Sequence, residues 1–209
     1  MRVMHYIPIQ EKGFSMIEVL VSLIILCIGI LGMAALQTKS IKLTQESIQR
    51  SNAIMLADDI LETIRSNNKT ALENSIESQD YNLFINDSSK NNYYKEPGKD
   101  FSQVNLASGE TCADLKRDSG GQIIAGKDIS CWLSQVKVML PVTNELIKSK
   151  YAICPSSKPA GKSSAPYEAC DKTSTSSTIM ILVAWLDNSD TCPEEDGEHI
   201  CYYSLRTEL

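Results

Sequence analysis

The sequence predicts an α+β fold in which one long N-terminal α-helix packs on a small antiparallel β-sheet. Three observations point there. No proline falls between Phe14 and Asn67, and Gly29 and Gly32 are the only glycines in that stretch. A single helix of roughly 50 residues, about 80 Å long, is therefore allowed at 1.5 Å per residue. Near the other end, Thr178–Leu186 and His199–Arg206 have the composition of paired strands. Six cysteines lie in the C-terminal half, an even set suited to cross-linking one domain.

The helix begins with an anomaly. Gly13-Phe14-Ser15-Met16-Ile17-Glu18 is followed by twenty residues without a charge, Val19 to Thr38. One carboxylate thus stands near the start of a stretch otherwise fit to span a membrane. A charge inside a bilayer helix costs roughly 2.5–3.5 kcal/mol on insertion scales, which marks Glu18 as a functional residue in need of a partner. Severing the chain after Gly13 creates one. The α-amino group of Phe14 would be mostly cationic at neutral pH, its ordinary pKa being about 7.7–8.0. Glu18 lies four residues along, on the same helix face, and can reach its own new terminus or that of a neighbouring subunit. At about 4 Å and an effective dielectric of 20, such a pair gains roughly 4 kcal/mol, enough to offset the insertion cost. The first turn of a helix also favours an acid through the macrodipole.

The first half of the helix is apolar on every side. In the second, Ile41, Ile48 and Met55 recur every seven residues and Leu56, Ile60 and Ile64 every four, while Lys42, Glu46, Arg50 and Asp59 take the other faces. That stripe predicts core packing against the sheet. Residues 66–130 are polar and punctuated by Asn67-Asn68, Pro97-Gly98 and Gly120-Gly121, which predicts loops and short elements. From Trp132 to Leu140, Trp132, Ser134, Val136, Val138 and Leu140 alternate with Leu133, Gln135, Lys137 and Met139, which predicts a strand; Lys150–Cys154 reads as a short one. Pro155 to Ser177 is rich in Ser, Thr, Lys and Pro and reads as a loop. Thr178–Leu186 has apolar residues on both parities, as a central strand covered on both faces would. His199–Arg206 is expected to return antiparallel, leaving acidic Asp187–Glu198 as a hairpin loop.

Of seven cysteines, Cys27 lies in the apolar run, whereas Cys112, Cys131, Cys154, Cys170, Cys192 and Cys201 follow it. None of the six is spaced Cys-x-x-Cys, and His199 is the only histidine near them, so disulfides are favoured over zinc or buried thiols. Fifteen pairings are open. Nearest-neighbour closure, Cys112 with Cys131, Cys154 with Cys170 and Cys192 with Cys201, needs no crossing of loops, and each bond would contribute roughly 2–3 kcal/mol. Oxidised cysteines place the domain outside the cytoplasm. Positive charges do not decide orientation: Arg2 and Lys12 precede the span, and Lys39, Lys42 and Arg50 follow it. The disulfides do, putting residues 1–13 in the cytoplasm. An ordinary secretory signal would need a small-residue cleavage site, and Ala34-Ala35-Leu36 matches that poorly.

The chain has 209 residues and a formal charge of −6. Loss of residues 1–13 leaves about 196, room for one anchored helix and one compact domain. The 20 basic residues are scattered and outnumbered by 26 acidic ones, which argues against nucleic acid as a ligand. Only His5 and His199 could serve histidine chemistry, and His5 precedes the cut. The acids Asp190, Glu194, Glu195, Asp196 and Glu198 could ligate calcium, but their spacing is not that of an EF-hand. No Gly-rich phosphate cradle follows a strand. No cofactor, metal or enzymatic activity is expected.

The stretch Lys12-Gly13-Phe14-Ser15-Met16-Ile17-Glu18-Val19-Leu20-Val21 resembles the class III signal of type IV pilins and the related pseudopilins. The continuation through Cys27-Ile28-Gly29-Ile30-Leu31-Gly32-Met33-Ala34-Ala35-Leu36-Gln37, together with Leu61-Glu62-Thr63-Ile64-Arg65-Ser66-Asn67, is similar to the PilV group of minor pilins. These motifs cover about a quarter of the chain. The resemblance implies a pilin-like fold, cleavage after Gly13 and N-methylation of Phe14 by a prepilin peptidase, and a role for Glu18 in docking the subunit into a filament. It divides the chain into a 1–13 leader, a 14–38 transmembrane and filament-core helix, and a 39–209 periplasmic head. The function it implies is that of a minor type IV pilin, held in the bacterial inner membrane by a single pass, then carried into the pilus. Its partners would be other minor pilins, the major pilin and a tip adhesin. A minor pseudopilin of a type II secretion system and a pilus-borne adhesin or binding module are the alternatives.

Overall fold

The structure, a computed structural model, describes residues 13–67, 72–73, 83–84, 91–115, 121–156, 170, 178–187 and 191–209. Helix α1 runs without a break from Met16 to Ser66, 51 residues. Two short strands, β1 (Leu72–Glu73) and β2 (Leu83–Phe84), pair with each other antiparallel. Helices α2 (Gln122–Met139) and α3 (Asn144–Lys150) precede β3 (Ala152–Pro155), β4 (Thr178–Leu186), β5 (Glu194–Glu195) and β6 (Glu198–Glu208). The chain divides into two compact units that part between Thr44 and Gln45.

Every described residue of the first unit is solvent-exposed. The second unit holds the core. There β3, β4, β6 and β5 lie in that order, each antiparallel to its neighbour, and β4 pairs with β6 along its whole length, from Thr178 opposite Glu208 to Leu186 opposite Ile200. Residues Ile179 to Trp185 are all buried, so β4 is covered on both faces as its composition predicts. Beyond β3 the sheet is extended by Lys95, which exchanges backbone hydrogen bonds of 2.9 and 3.0 Å with Ile153. The turn between β5 and β6 uses Asp196 and Gly197, both at positive φ, 55° and 83°. An Asp-Gly pair suits a two-residue hairpin that requires left-handed backbone at both positions.

On this sheet packs the second half of α1. Ala53, Leu56, Ala57, Ile60, Leu61 and Ile64 are buried, at the three- and four-residue spacing of one helix face. The α+β architecture, a long N-terminal helix packed on a four-stranded antiparallel sheet, is the one the sequence predicts. The seven-residue series behaves differently: Ile41, Ile48 and Met55 are all more than half exposed. The core face of α1 lies to one side of them.

The expected strand over 132–140 is instead the second half of helix α2. Among the residues this helix buries, Ala125, Ile129, Trp132, Leu133 and Val136 follow the three- and four-residue spacing of a helix face, and Val138, which alternation put on the same face as Trp132, is 86% exposed. The helix starts after Gly121, whose φ of 91° suits glycine alone, and stops where Leu140, preceding Pro141, turns extended. Contacts with α1 fix its direction. Asn67 and Gly121 exchange hydrogen bonds of 3.1 Å, the Trp132 indole donates to the Leu56 carbonyl at 2.8 Å, and the Asn52 amide donates to the Met139 carbonyl at 3.0 Å. The two helices are thus antiparallel. Helix α3, not anticipated, is capped by the Thr143 hydroxyl, which accepts from the Leu146 amide at 3.0 Å, with Glu145 in its first turn and Lys148 and Lys150 in its last.

Candidate functional site

Gly13, Phe14 and Glu18 lie at the open start of α1. Gly13 precedes the helix, and a side chain there would meet nothing within 4 Å, so the peptide bond to Phe14 is sterically accessible. Phe14 is 84% exposed. The amides of Glu18 and Val19 donate to the Ser15 carbonyl at 3.0 and 3.3 Å, which places Glu18 in the first helical turn. Its carboxylate meets no cation or donor among the described residues, whereas its carbonyl accepts from the Ser22 hydroxyl at 2.6 Å. In the uncut chain the Phe14 nitrogen is an amide and cannot serve as a counter-ion. From there the helix is long and apolar enough to cross a membrane, with none of its most apolar window buried in the chain.

Three disulfides cross-link the head: Cys112–Cys131, Cys154–Cys170 and Cys192–Cys201. These join nearest neighbours, the pairing that needs no crossed loops. The first bond fastens the 101–115 segment to α2, and two further contacts support it. Lys127 and Glu110 form an ion pair at 2.7 Å, which together with the Ala107 amide holds the Glu110 carboxyl below the usual carboxylate range. Gly126 lets the segment approach α2 closely, where the Val104 amide donates to the Gly126 carbonyl at 3.1 Å. The third bond closes the β5–β6 hairpin. Burial would raise the Glu195 carboxyl, but donation from the Lys150 ammonium at 2.6 Å and the Tyr202 hydroxyl at 2.8 Å outweighs it and lowers the pKa. The acidic hairpin is thereby tied to the end of α3.

One cluster has the composition of a metal site: Asp187, Cys192 and Cys201. Its two sulfurs are bonded to each other, and Asp187 Oδ2 accepts from the Thr191 amide and hydroxyl and from the Cys192 amide, at 3.0, 3.0 and 3.2 Å. The carboxylate caps the loop. His199 lies in β6, half-buried, its Nδ1 2.8 Å from the Cys192 carbonyl. The 155–177 loop, Asp190 and the leader lie largely or wholly outside the described residues.

The core holds a cation that sequence reasoning overlooked. Lys95 is 1% exposed, and its ammonium donates to the carbonyls of Tyr151, Lys148 and Glu96, the last two at 3.0 and 3.2 Å, and sits 5.2 Å from the centre of the Phe101 ring. Burial draws its pKa down to about 7, with Asp100 pulling the other way. The same burial pushes the Tyr151 phenol up.

Residues 35–114 match the family described as Tt1218-like, type IV pilin Tt1218, and residues 10–34 match the prokaryotic N-terminal methylation motif. These two matches support a type IV pilin. Neither a curated protein nor a solved structure matches the chain. The methylation motif spans Gly13, Phe14 and Glu18, and the pilin match begins in the apolar half of α1 and ends just beyond Cys112. A prepilin motif of this kind implies processing by a prepilin peptidase and assembly with other pilins. Pilins are structural proteins, and nothing in the described site points to catalysis.

Proposed function

We propose that the chain is a minor type IV pilin that takes part in initiating and assembling the pilus and is incorporated in the filament or its tip complex. The observation that carries this reading is helix α1, whose residues up to Thr44 bury nothing within the chain although most are apolar. Lipid first and neighbouring helices later would cover them. A prepilin peptidase removes residues 1–13 and methylates Phe14, residues 14–38 form the single membrane pass of the inner membrane, and residues 39–209 form the periplasmic head, where three disulfides can form. Helices associating in lipid gain little from hydrophobicity, because lipid tails are as apolar as their side chains, so van der Waals packing and polar pairing decide their register. Glu18 supplies the polar element by seeking the amine of Phe14.

Three measurements test this. N-terminal sequencing of the protein from fractionated membranes and sheared pili should find a mature chain starting at methylated Phe14. The Glu18→Ala variant should insert and be cleaved as before while pilus number falls several-fold; normal piliation in that variant would remove the register role. Loss of twitching motility on deletion, with exoprotein secretion unchanged, separates a pilin from a secretion pseudopilin.

A further inference from the structure

Beside the Lys95 cage, a cavity of about 260 Å³ lies between the 95–103 segment, the second half of α2 and helix α3. Its lining reverses the charge of the chain. The protein carries a formal −6, yet Lys95, Lys137 and Lys148 line this cavity against a single acid, Asp100. With Lys95 uncharged, the other two lysines still outweigh Asp100. Glu145, exposed on α3, acts on Lys148 from outside the lining.

The walls are already in place. The Lys148 carbonyl accepts from the Gly98 amide at 2.8 Å and from the Lys95 ammonium at 3.0 Å, which ties the 95–103 segment to α3. Phe101 is buried and packs edge-on against Trp132 of α2, ring centres 5.8 Å apart. A ligand entering a site held in this way loses little affinity to ordering the protein. One side chain already shows what the cations take. Asp100 Oδ2 lies 3.0 Å from the Lys148 ammonium and holds it above the ordinary lysine range, so this cation stays charged. The two side chains are 43% and 74% exposed, and water screens a pair of this kind until it is weak. A carboxylate from outside can therefore take the place of Asp100.

The rest of the lining selects the body that carries the carboxylate. Gln103 and Asn144 each offer an amide that both donates and accepts, which suits hydroxyl groups. Phe101, Leu133 and Ile147 add an apolar patch for the C–H face of a ring. The volume falls below the roughly 300–1,000 Å³ of pockets for drug-sized ligands, leaving room for one small ring. Inorganic phosphate would satisfy the lysines and leave the patch bare. A zwitterionic amino acid would bring an ammonium to a lining already rich in cations.

We propose that this cavity binds the ring of a sugar acid, its carboxylate on Lys137 and Lys148 and its hydroxyls on Gln103 and Asn144. The assignment uses none of the residues on which the pilin reading rests. Isothermal titration of the full-length chain in detergent at low salt tests it, with galacturonate as the probe and galactose and inorganic phosphate as comparisons. Galacturonate should bind saturably with a dissociation constant of about 1 mM or below, and galactose at least tenfold more weakly. Lys137→Gln and Lys148→Gln should each weaken galacturonate at least fivefold. Neither should disturb the fold, because Lys137 is exposed and the structural contacts of Lys148 belong to its carbonyl; unchanged fluorescence of Trp132 checks this. Asp100→Asn should bind several-fold more tightly, since the internal competitor is gone. No saturation by about 10 mM, galactose bound as well as galacturonate, phosphate bound more tightly, or an Asp100→Asn protein with no gain would overturn the proposal.

Discussion

Residues 16–44 and 45–66 share one unbroken helix and are held in opposite ways. The second stretch buries six side chains at helical spacing in the core of the head, and the first buries none. Backbone hydrogen bonding is common to both. Since most helical stability in proteins comes from packing an apolar face, the first stretch depends on surroundings that the chain does not itself provide. One secondary-structure element is thus a core component at one end and an unburied, largely apolar surface at the other.

The sharpest way to break that contrast is to truncate one isoleucine in each stretch. Ile60→Ala, at a fully buried position, should cost the head about 2–5 kcal/mol through lost burial and the cavity left behind. Ile24→Ala, at a position 56% exposed, should leave head stability within about 0.5 kcal/mol. Denaturant unfolding of the full chain in detergent, followed by the fluorescence of buried Trp132 and Trp185, measures both. Equal losses would mean that the helix is stabilised as one body.

The two stretches also differed in how readily they could be read. An apolar run of twenty uncharged residues with one acid near its start is legible from length and composition alone as a helix able to cross a membrane. The strands β4 and β6 were legible for a related reason, since apolar residues on both parities leave β4 no exposed face. Helix α2 was misread because Trp132, Val136 and Leu140 satisfy a two-residue and a four-residue repeat alike. The decision lay upstream, where buried Ala125 and Ile129 stand four residues apart and Ile129 three before Trp132, spacings that fit a helix face and break the alternation of a strand. The Lys95 cage and the cavity beside it were not legible, because both depend on which segments the fold brings together.

Two helical glycines sharpen the contrast at smaller amplitude. A Cβ at Gly126 would lie 2.4 Å from Val104 Cγ2 and 3.1 Å from Asn92 Nδ2. Gly126→Ala must therefore push the 101–115 segment away from α2, at a cost of about 1–3 kcal/mol. At Gly29 nothing lies within 4 Å. Gly29→Ala should leave the head unchanged while stiffening the first stretch, alanine being about 1 kcal/mol the better helix former. The same unfolding assay reports the first effect, and helicity by circular dichroism the second. A Gly126→Ala protein as stable as the parent would show that the 101–115 segment yields freely.

The last contrast concerns the charged group of each region. Glu18 has no counter-ion among the described residues, whereas Lys95 is enclosed by three carbonyls. With its pKa lowered from 10.5 to about 7, Lys95 is protonated in both folded and unfolded chains below about pH 7, and its contribution there is constant. Between about pH 7 and 10.5 the unfolded chain keeps a proton that the folded head releases, so stability rises with pH across that window. The carboxyls of Glu110 and Glu195 are lowered, so what they contribute is lost only at acid pH, and the raised Tyr151 phenol opposes the climb only from about pH 10, at the top of the window. Denaturation midpoints of the full chain should therefore climb between pH 7 and 9. In Lys95→Met the climb should vanish, and the protein should be less stable throughout, because the carbonyls of Glu96, Lys148 and Tyr151 lose their donor. A parent profile that is flat or falls over this range would show that the three carbonyls keep the ammonium charged in spite of its burial.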